Sequence, residues 1–567
     1  MADSLQACLH GIRDSWSTHL NTSSNTPLFG LMQDVPLLIS SLIQYAASYH
    51  GTREIVSQSG QEALHRYTYA DAYKRVGKLA HGLNSLGIKT SDRIATLAGN
   101  THRHFELFYG VSGIGAVLHT VNPRLFEDQV VYIINHAEDT LLFLDPDHLP
   151  LAEKLASRLP TIQRYIVLCD KADMPETGLS KALCYEDLLG DEPTDYPWPV
   201  FDENLASSLC YTSGTTGDPK GVLYSHRSTV LHALGAAQVG AMALGPKDCI
   251  LPIAPMYHAN AWAMPYIAPM VGAKLVLPGA KMDPVSLLSL INEEHVSFAC
   301  AVPTVWTMLL EHLDKTNASI PSLNRTTIGG SAVPMAMIDR FRDKYGVEVL
   351  QLWGMTEISP LGTLASATPV VDTLSKSERA DVLSKQGRVM YGLELKIVDP
   401  SGNSIPQDGE TSGDLWVRGG WAAKGYYKRE NETHLDDQGW FPTGDVATLD
   451  PYGYMKITDR TKDVIKSGGE WISSIDLENA AVGHAKVSQA AVIGVHHPKW
   501  EERPLMLVVP VAEETIEPDE VLAFLQKKVA KWWLPDEIHI VDELPLTATG
   551  KIKKAAIRET YKDFSFI

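Results

Sequence analysis

The stretch Y-T-S-G-T-T-G-D-P-K-G-V, residues 211–222, gathers three glycines, four aliphatic hydroxyls, a proline and a lysine in a chain whose net charge is −19. Gly214 and Gly217 open backbone conformations closed to other residues, so several N–H groups can converge on one anion. Thr212, Ser213, Thr215 and Thr216 add hydroxyl donors, and Lys220 supplies a point charge able to follow a moving phosphate. The chemistry this predicts is the cradling of a polyphosphate. It is not that of a P-loop NTPase, whose loop reads G-x-x-x-x-G-K-[ST]: Lys220 stands between Pro219 and Gly221, with no hydroxyl in the magnesium position. A solvated surface loop of the same composition is the bland alternative.

Such a loop needs a scaffold. From Asp92 to Asp145, apolar runs at 93–98, 117–121 and 140–144 alternate with helical patterns at 102–115 and 127–137. This β-α-β-α-β order marks a parallel sheet flanked by helices. A similar alternation returns between Ser297 and Trp353. A dinucleotide site requires G-x-G-x-x-G after a strand; the turn after Ala98 reads GNTHRH, which disfavours it. Near residue 460 the character changes to a small mixed unit. It holds a glycine turn (Gly468, Gly469), a helix from Ile475, the strand-like runs QAAVIGV and LMLVVPV, and a helix opened by Pro518 with Val521, Leu522, Leu525, Val529 and Trp532 on one face. The expected fold is α/β: a flexible lead-in over 1–28, a large multi-sheet body over 29–459, and a small mobile α+β domain over 460–567.

Composition narrows the function. An excess of 68 acids over 49 bases repels phosphate backbones at long range and argues against nucleic acid or anionic membranes as partners. The six cysteines lie far apart without C-x-x-C, so neither zinc nor a disulfide scaffold is indicated and a reducing cytoplasm fits. The N-terminus lacks a signal-peptide pattern, and the most apolar windows are short and interrupted. His496-His497, His102-Arg103-His104 and Trp532-Trp533 read as packing residues.

The loop, together with PMYHANAW (255–262), IGGSAVP (328–334), QLWGMTEISP (351–360), WFPTGDVATLD (440–450), ITDRTKDVIKSGGEWISSIDLEN (457–479) and PLTATGKIKK (545–554), resembles the adenylate-forming superfamily and, within it, the bacterial fatty acyl-CoA synthetases. The resemblance implies two steps. A carboxylate attacks the α-phosphate of ATP and expels pyrophosphate; coenzyme A thiolate then displaces AMP from the acyl-adenylate. It further implies that Lys551 bridges the carboxylate and α-phosphate, and that Glu357 and Thr212 hold Mg²⁺. Asp445 and Arg460 serve the ribose. Gly330, Ser331, Ala332, Gln351, Leu352 and Trp353, continued by Gly354, Met355 and Thr356, surround the adenine, with Trp471 near the nucleotide. Lys462 is the hinge position, and Lys466, Gly468 and Gly469 line the pantetheine path. His258 gates the acyl carboxylate, with Trp262 and Gly330 along the acyl side. A homodimer is common in the family.

Three other readings compete. A peptide-synthetase adenylation domain places an aspartate directly before the region of His258 to Trp262, and Tyr257 stands there. A luciferase shares most motifs and is separated by oxygen-dependent light emission. A non-catalytic ATP-binding scaffold would lack Lys551 and Glu357. The acid itself stays open among medium- and long-chain fatty acids, aryl propenoates and short thioether acids such as 3-methylthiopropionate.

Overall fold

The computed structural model describes residues 28–59, 64–212, 218–432, 434–468, 470–512, 514–546 and 552–566. The chain divides into a unit of residues 1–36, whose described positions 28–36 carry no helix or strand, and a unit of residues 37–567.

Among the described residues of the second unit there are four sheets. In the seven-stranded one, Arg93–Leu97 lies between Val117–Thr120 and Leu141–Leu144, parallel to both. The alternating pattern of 92–145 therefore folds as expected. Buried on both faces, these strands are mostly apolar, with Thr96, His119 and Thr120 as buried polar exceptions. The helix His102–Gly113 between them is buried along its whole length, so its polar opening is interior. His104 sits between Thr96 Oγ1 (3.0 Å) and the Gly99 carbonyl (2.9 Å), and Arg103 is paired with Glu186 and Asp170. These are packing roles. The same sheet ends in the antiparallel pair Ala206–Tyr211 and Gly221–Ser225.

In the nine-stranded sheet, Phe298–Ala301, Arg325–Ile328 and Glu348–Gly354 are consecutive parallel neighbours, with Ile328 opposite Gln351. This register brings the segments after Ile328 and after Gly354 to one sheet edge. Open α/β sheets bind ligands at the carboxyl ends of their strands. A four-stranded antiparallel sheet follows, in which Phe441–Leu449 pairs with Met455–Arg460.

The small domain is built on the hairpin Val487–His497 and Glu501–Pro510, joined by Ile465–Ser467, Glu470–Ile472 and Glu537–Ile540. Its core holds Leu477, Val492, Met506, Val521 and Leu525. One expectation fails here. The helix opened by Pro518 stops at Leu525, and Trp532 lies in a short 3-10 turn, 45% exposed rather than packed. Ala530 is extended (φ −60°, ψ 141°), which breaks the helical course before Trp532 is reached.

Candidate active site

The neck of the 211–222 loop is closed by two hydrogen bonds. Thr212 N–H donates to the Lys220 carbonyl (2.9 Å), and Lys220 N–H donates to Thr212 Oγ1 (3.1 Å). Tyr211 at its base shares a 2.7 Å hydrogen bond with His136 Nδ1. Ser213, Gly214, Thr215, Thr216 and Gly217, the expected cradle, lie outside the described residues.

From this neck a line of contacts runs to the W-G-M-T-E segment. The Lys220 ammonium stands 4.7 Å from the centre of the Tyr426 ring, and the Tyr426 hydroxyl donates to Glu357 Oε1 at 2.7 Å. Glu357 is buried, 8% exposed, in the short turn Thr356–Ile358. Tyr224 fixes that turn by donating to the Thr356 carbonyl (2.6 Å), and Ala423 N–H donates to the Glu357 carbonyl (2.8 Å). Burial, with the adjacent Glu357 carboxylate, pushes the Tyr426 phenol far above its ordinary range. It is a fixed donor.

A second cluster forms around Asp445, 2% exposed. Trp353 Nε1 donates to its Oδ2 (2.8 Å), and Arg460 Nε lies 2.9 Å from its Oδ1. Strand register sets the pair, since Asp445 faces Arg460 directly across the two strands. Gln351 accepts from Val333 N–H (3.2 Å) and donates to the Ser384 carbonyl (2.5 Å), joining the segment 328–334 to the strand Glu348–Gly354. Gly330 has φ +87°, a left-handed value that suits glycine. Ser331 and Ala332 follow it at the strand edge, Leu352 is buried, and Gly354 and Met355 lead into the Glu357 turn.

His258 and Thr212 share the wall of a small cavity with Thr120, Asn122, Leu125 and Tyr257. Trp262, 4% exposed, follows His258 at the far end of a tight turn. The small domain presents the rest. Lys551 and Gly469 lie outside the described residues. On either side of the segment 547–551, Leu546 and Ile552 pair as a bridge, and Lys553 stands 5.9 Å from the Phe126 ring. Lys466, Gly468 and Trp471 belong to the hairpin Ile465–Ser467 and Glu470–Ile472. There Lys466 N–H bonds Glu502 (2.9 Å), and Gly468 N–H bonds the Trp500 carbonyl (2.8 Å). Burial lowers the Lys462 pKa from its ordinary value.

Sequence reading passed over several of these groups. Tyr426, Tyr224 and His136 have no spacing signal, being ordinary aromatic or helical positions until the fold aims them. Also unforeseen is a buried network at the domain junction. Asp459 Oδ2 accepts from Ser474 N–H (2.7 Å) and Oγ–H (2.6 Å), and Lys554 Nζ reaches Ser474 Oγ (2.5 Å) and Glu478 (2.8 Å).

The family model for AMP-binding enzymes matches residues 43–427, and that for the AMP-binding enzyme C-terminal domain matches 476–551. The chain belongs to the AMP-binding enzyme family. This AMP-binding enzyme is 48% identical over 94% of its length, and 99% of the relative's, to the 3-methylmercaptopropionyl-CoA ligase of Ruegeria lacuscaerulensis. It is 47% identical, over 94% of its length and 98% of the relative's, to the medium-chain-fatty-acid–CoA ligase of Ectopseudomonas oleovorans. Its fold matches a crystal structure of the anthranilate CoA ligase AuaEII in complex with anthranoyl-AMP. The TM-score is 0.82 and the identity 24%, covering 94% and 99% of the two chains.

Proposed function

We propose that this AMP-binding enzyme joins an apolar carboxylic acid to coenzyme A in two steps, through an acyl-adenylate, with release of pyrophosphate and then AMP. The observation that carries the reading is the line Lys220–Tyr426–Glu357, which couples the neck of a phosphate-binding loop to a buried carboxylate. In the first step two anions must meet, so cationic and dipolar groups have to be in place before the barrier is crossed. Lys220 and the amides of its loop hold the departing phosphates. Lys551 is the cation between carboxylate and α-phosphate.

Glu357 and the Thr212 hydroxyl are hard oxygen donors suited to Mg²⁺, which would offset phosphate charge when bound there. Tyr426 holds one Glu357 oxygen and so orients the other. Asp445, clasped by Trp353 and Arg460, is a carboxylate acceptor for the ribose hydroxyls in this reading. Lys462 is the hinge between the body and the domain from 460 on, and its turning brings Lys466, Gly468 and Gly469 to the coenzyme A arm for the second step.

The two relatives, nearly equal in identity, act on a short thioether acid and on medium-chain fatty acids. We take both as substrates of the class, in a cytoplasmic and dimeric enzyme. The test is a panel of acids assayed for ATP–pyrophosphate exchange and for coenzyme A-dependent AMP release. Exchange without thioester formation would leave an adenylating module only, and no exchange with any acid would overturn the reading.

A further inference from the structure

Directly after His258 the backbone takes a course that L residues avoid. Ala259, Asn260, Ala261, Trp262 and Ala263 all have φ between +43° and +66°, a left-handed turn without glycine. Each such residue costs roughly 1–2 kcal/mol, because Cβ crowds the following carbonyl oxygen. Asparagine alone among the three residue types visits this region readily. The turn persists only because its surroundings impose it. Ala259, Ala261 and Ala263 are buried, with methyl groups small enough for close packing.

Among the described residues, the turn's side-chain hydrogen bonds come from Asn260, which is 3% exposed. Its Nδ2 donates to Ser208 Oγ (3.1 Å), and its Oδ1 accepts from the Cys210 thiol (3.5 Å). Ser208 and Cys210 are two apart on the strand Ala206–Tyr211 and therefore on one face. That strand runs straight into Thr212 and the neck of the phosphate loop. His258 and Trp262, the residues that border the acid's side of the site, flank Asn260 by two positions each.

We propose that Asn260 is a positioning residue for acid selection. Through Ser208 and Cys210 it fastens the strained turn to the phosphate-loop strand, and so fixes the direction of His258 and Trp262. The inference rests on the acid–coenzyme A ligase reading.

The test compares Asn260→Ala and Ser208→Ala with the wild type on two acids, octanoate and 3-methylthiopropionate. In Asn260→Ala the ratio of the two kcat/KM values shifts about tenfold or more, the size of effect that apolar pockets exert on chain length. The shift appears in the KM for acid, with the KM for ATP held within about threefold, and Ser208→Ala shifts the ratio the same way by less. If Asn260→Ala does not fold, Ser208→Ala decides. A group that merely satisfies the core would lower Tm and leave the ratio alone. Wild-type activity with an unchanged ratio in the folded variants overturns the proposal by itself; a wild type inactive on every acid overturns the ligase reading and this proposal together.

Discussion

Replacing Tyr426 by phenylalanine removes one oxygen and tests the line that joins loop to carboxylate. The ring remains, so the Lys220 ammonium keeps its aromatic face at 4.7 Å. What is lost is the 2.7 Å bond to Glu357 Oε1, in a place where both partners are less than a tenth exposed. A hydrogen bond to a charged group contributes about 1.5–3 kcal/mol, and water cannot readily replace it at a buried carboxylate. If that bond orients Glu357 toward the phosphates, acid-dependent ATP–pyrophosphate exchange falls about 10- to 150-fold. The Mg²⁺ concentration for half-maximal rate rises at the same time, since the unanchored carboxylate is a poorer donor. Tyr426→Leu removes the ring as well and should lose about 0.5–2 kcal/mol more from the exposed-to-desolvated range of cation–π contacts. The assay is exchange of labelled pyrophosphate at saturating acid, over a titration of Mg²⁺. Tyr426→Phe within about twofold of wild type at every Mg²⁺ concentration would show that Glu357 needs no such anchor, and the line would carry no function.

Lys551→Ala should lower adenylation about 10²- to 10³-fold, the usual loss for a preorganised transition-state donor, yet still convert preformed acyl-adenylate to thioester; undiminished exchange refutes its role. Acid should unfold the protein through buried imidazoles. His104, His226 and His232 each accept a hydrogen bond on one ring nitrogen, from Thr96, Ile39 N–H and Leu361 N–H, and burial holds their pKa values down at about 4, about 4 and about 3, against 6.5 ordinarily. Folded values below the unfolded one mean that their stabilisation is whole above pH 6.5 and is lost as pH falls toward 4 to 3. By pH 5 each costs about 2 kcal/mol. Tm should drop over that range, less steeply in His232→Gln, and a flat Tm from pH 7 to 5 would contradict the assignment. Finally, Lys554→Met leaves the Glu478 carboxylate buried without its 2.8 Å cation, a loss of about 3–5 kcal/mol that should appear as early melting of the small domain. Adding Glu478→Gln should restore part of it, and no restoration would mean that charge was not the cause.

The parts of this protein that were legible in its sequence are those in which local pattern and tertiary demand agree. Glu127–Ala137 is a helix with the bounds its periodicity predicts, and the strands of 92–145 begin within a residue of where their apolar runs do, because in each the buried face and the backbone preference ask for one conformation. The motif residues were legible as types, but not as contacts. Trp353 reaches Asp445 across 92 positions, and Arg460 reaches it only because two strands pair in that register. Shifting that register by a single residue would turn Arg460 to the opposite face. The turn at 259–263 marks the limit more sharply. Ala-Asn-Ala-Trp-Ala holds alanines, the best helix formers, and nothing local asks for left-handed backbone. What selects it is the strand beside it, through Ser208 and Cys210. Ala261→Gly tests that view without touching either bond. If tertiary contacts hold the turn against an intrinsic penalty, glycine removes roughly 1–2 kcal/mol of strain and gives back about 0.5–1 kcal/mol in backbone entropy. Tm should then hold or rise slightly. A clear fall in Tm would mean that the Ala261 methyl contributes more by packing than the turn loses by strain, and that the left-handed course is a consequence of dense packing rather than a conformation held against its own preference.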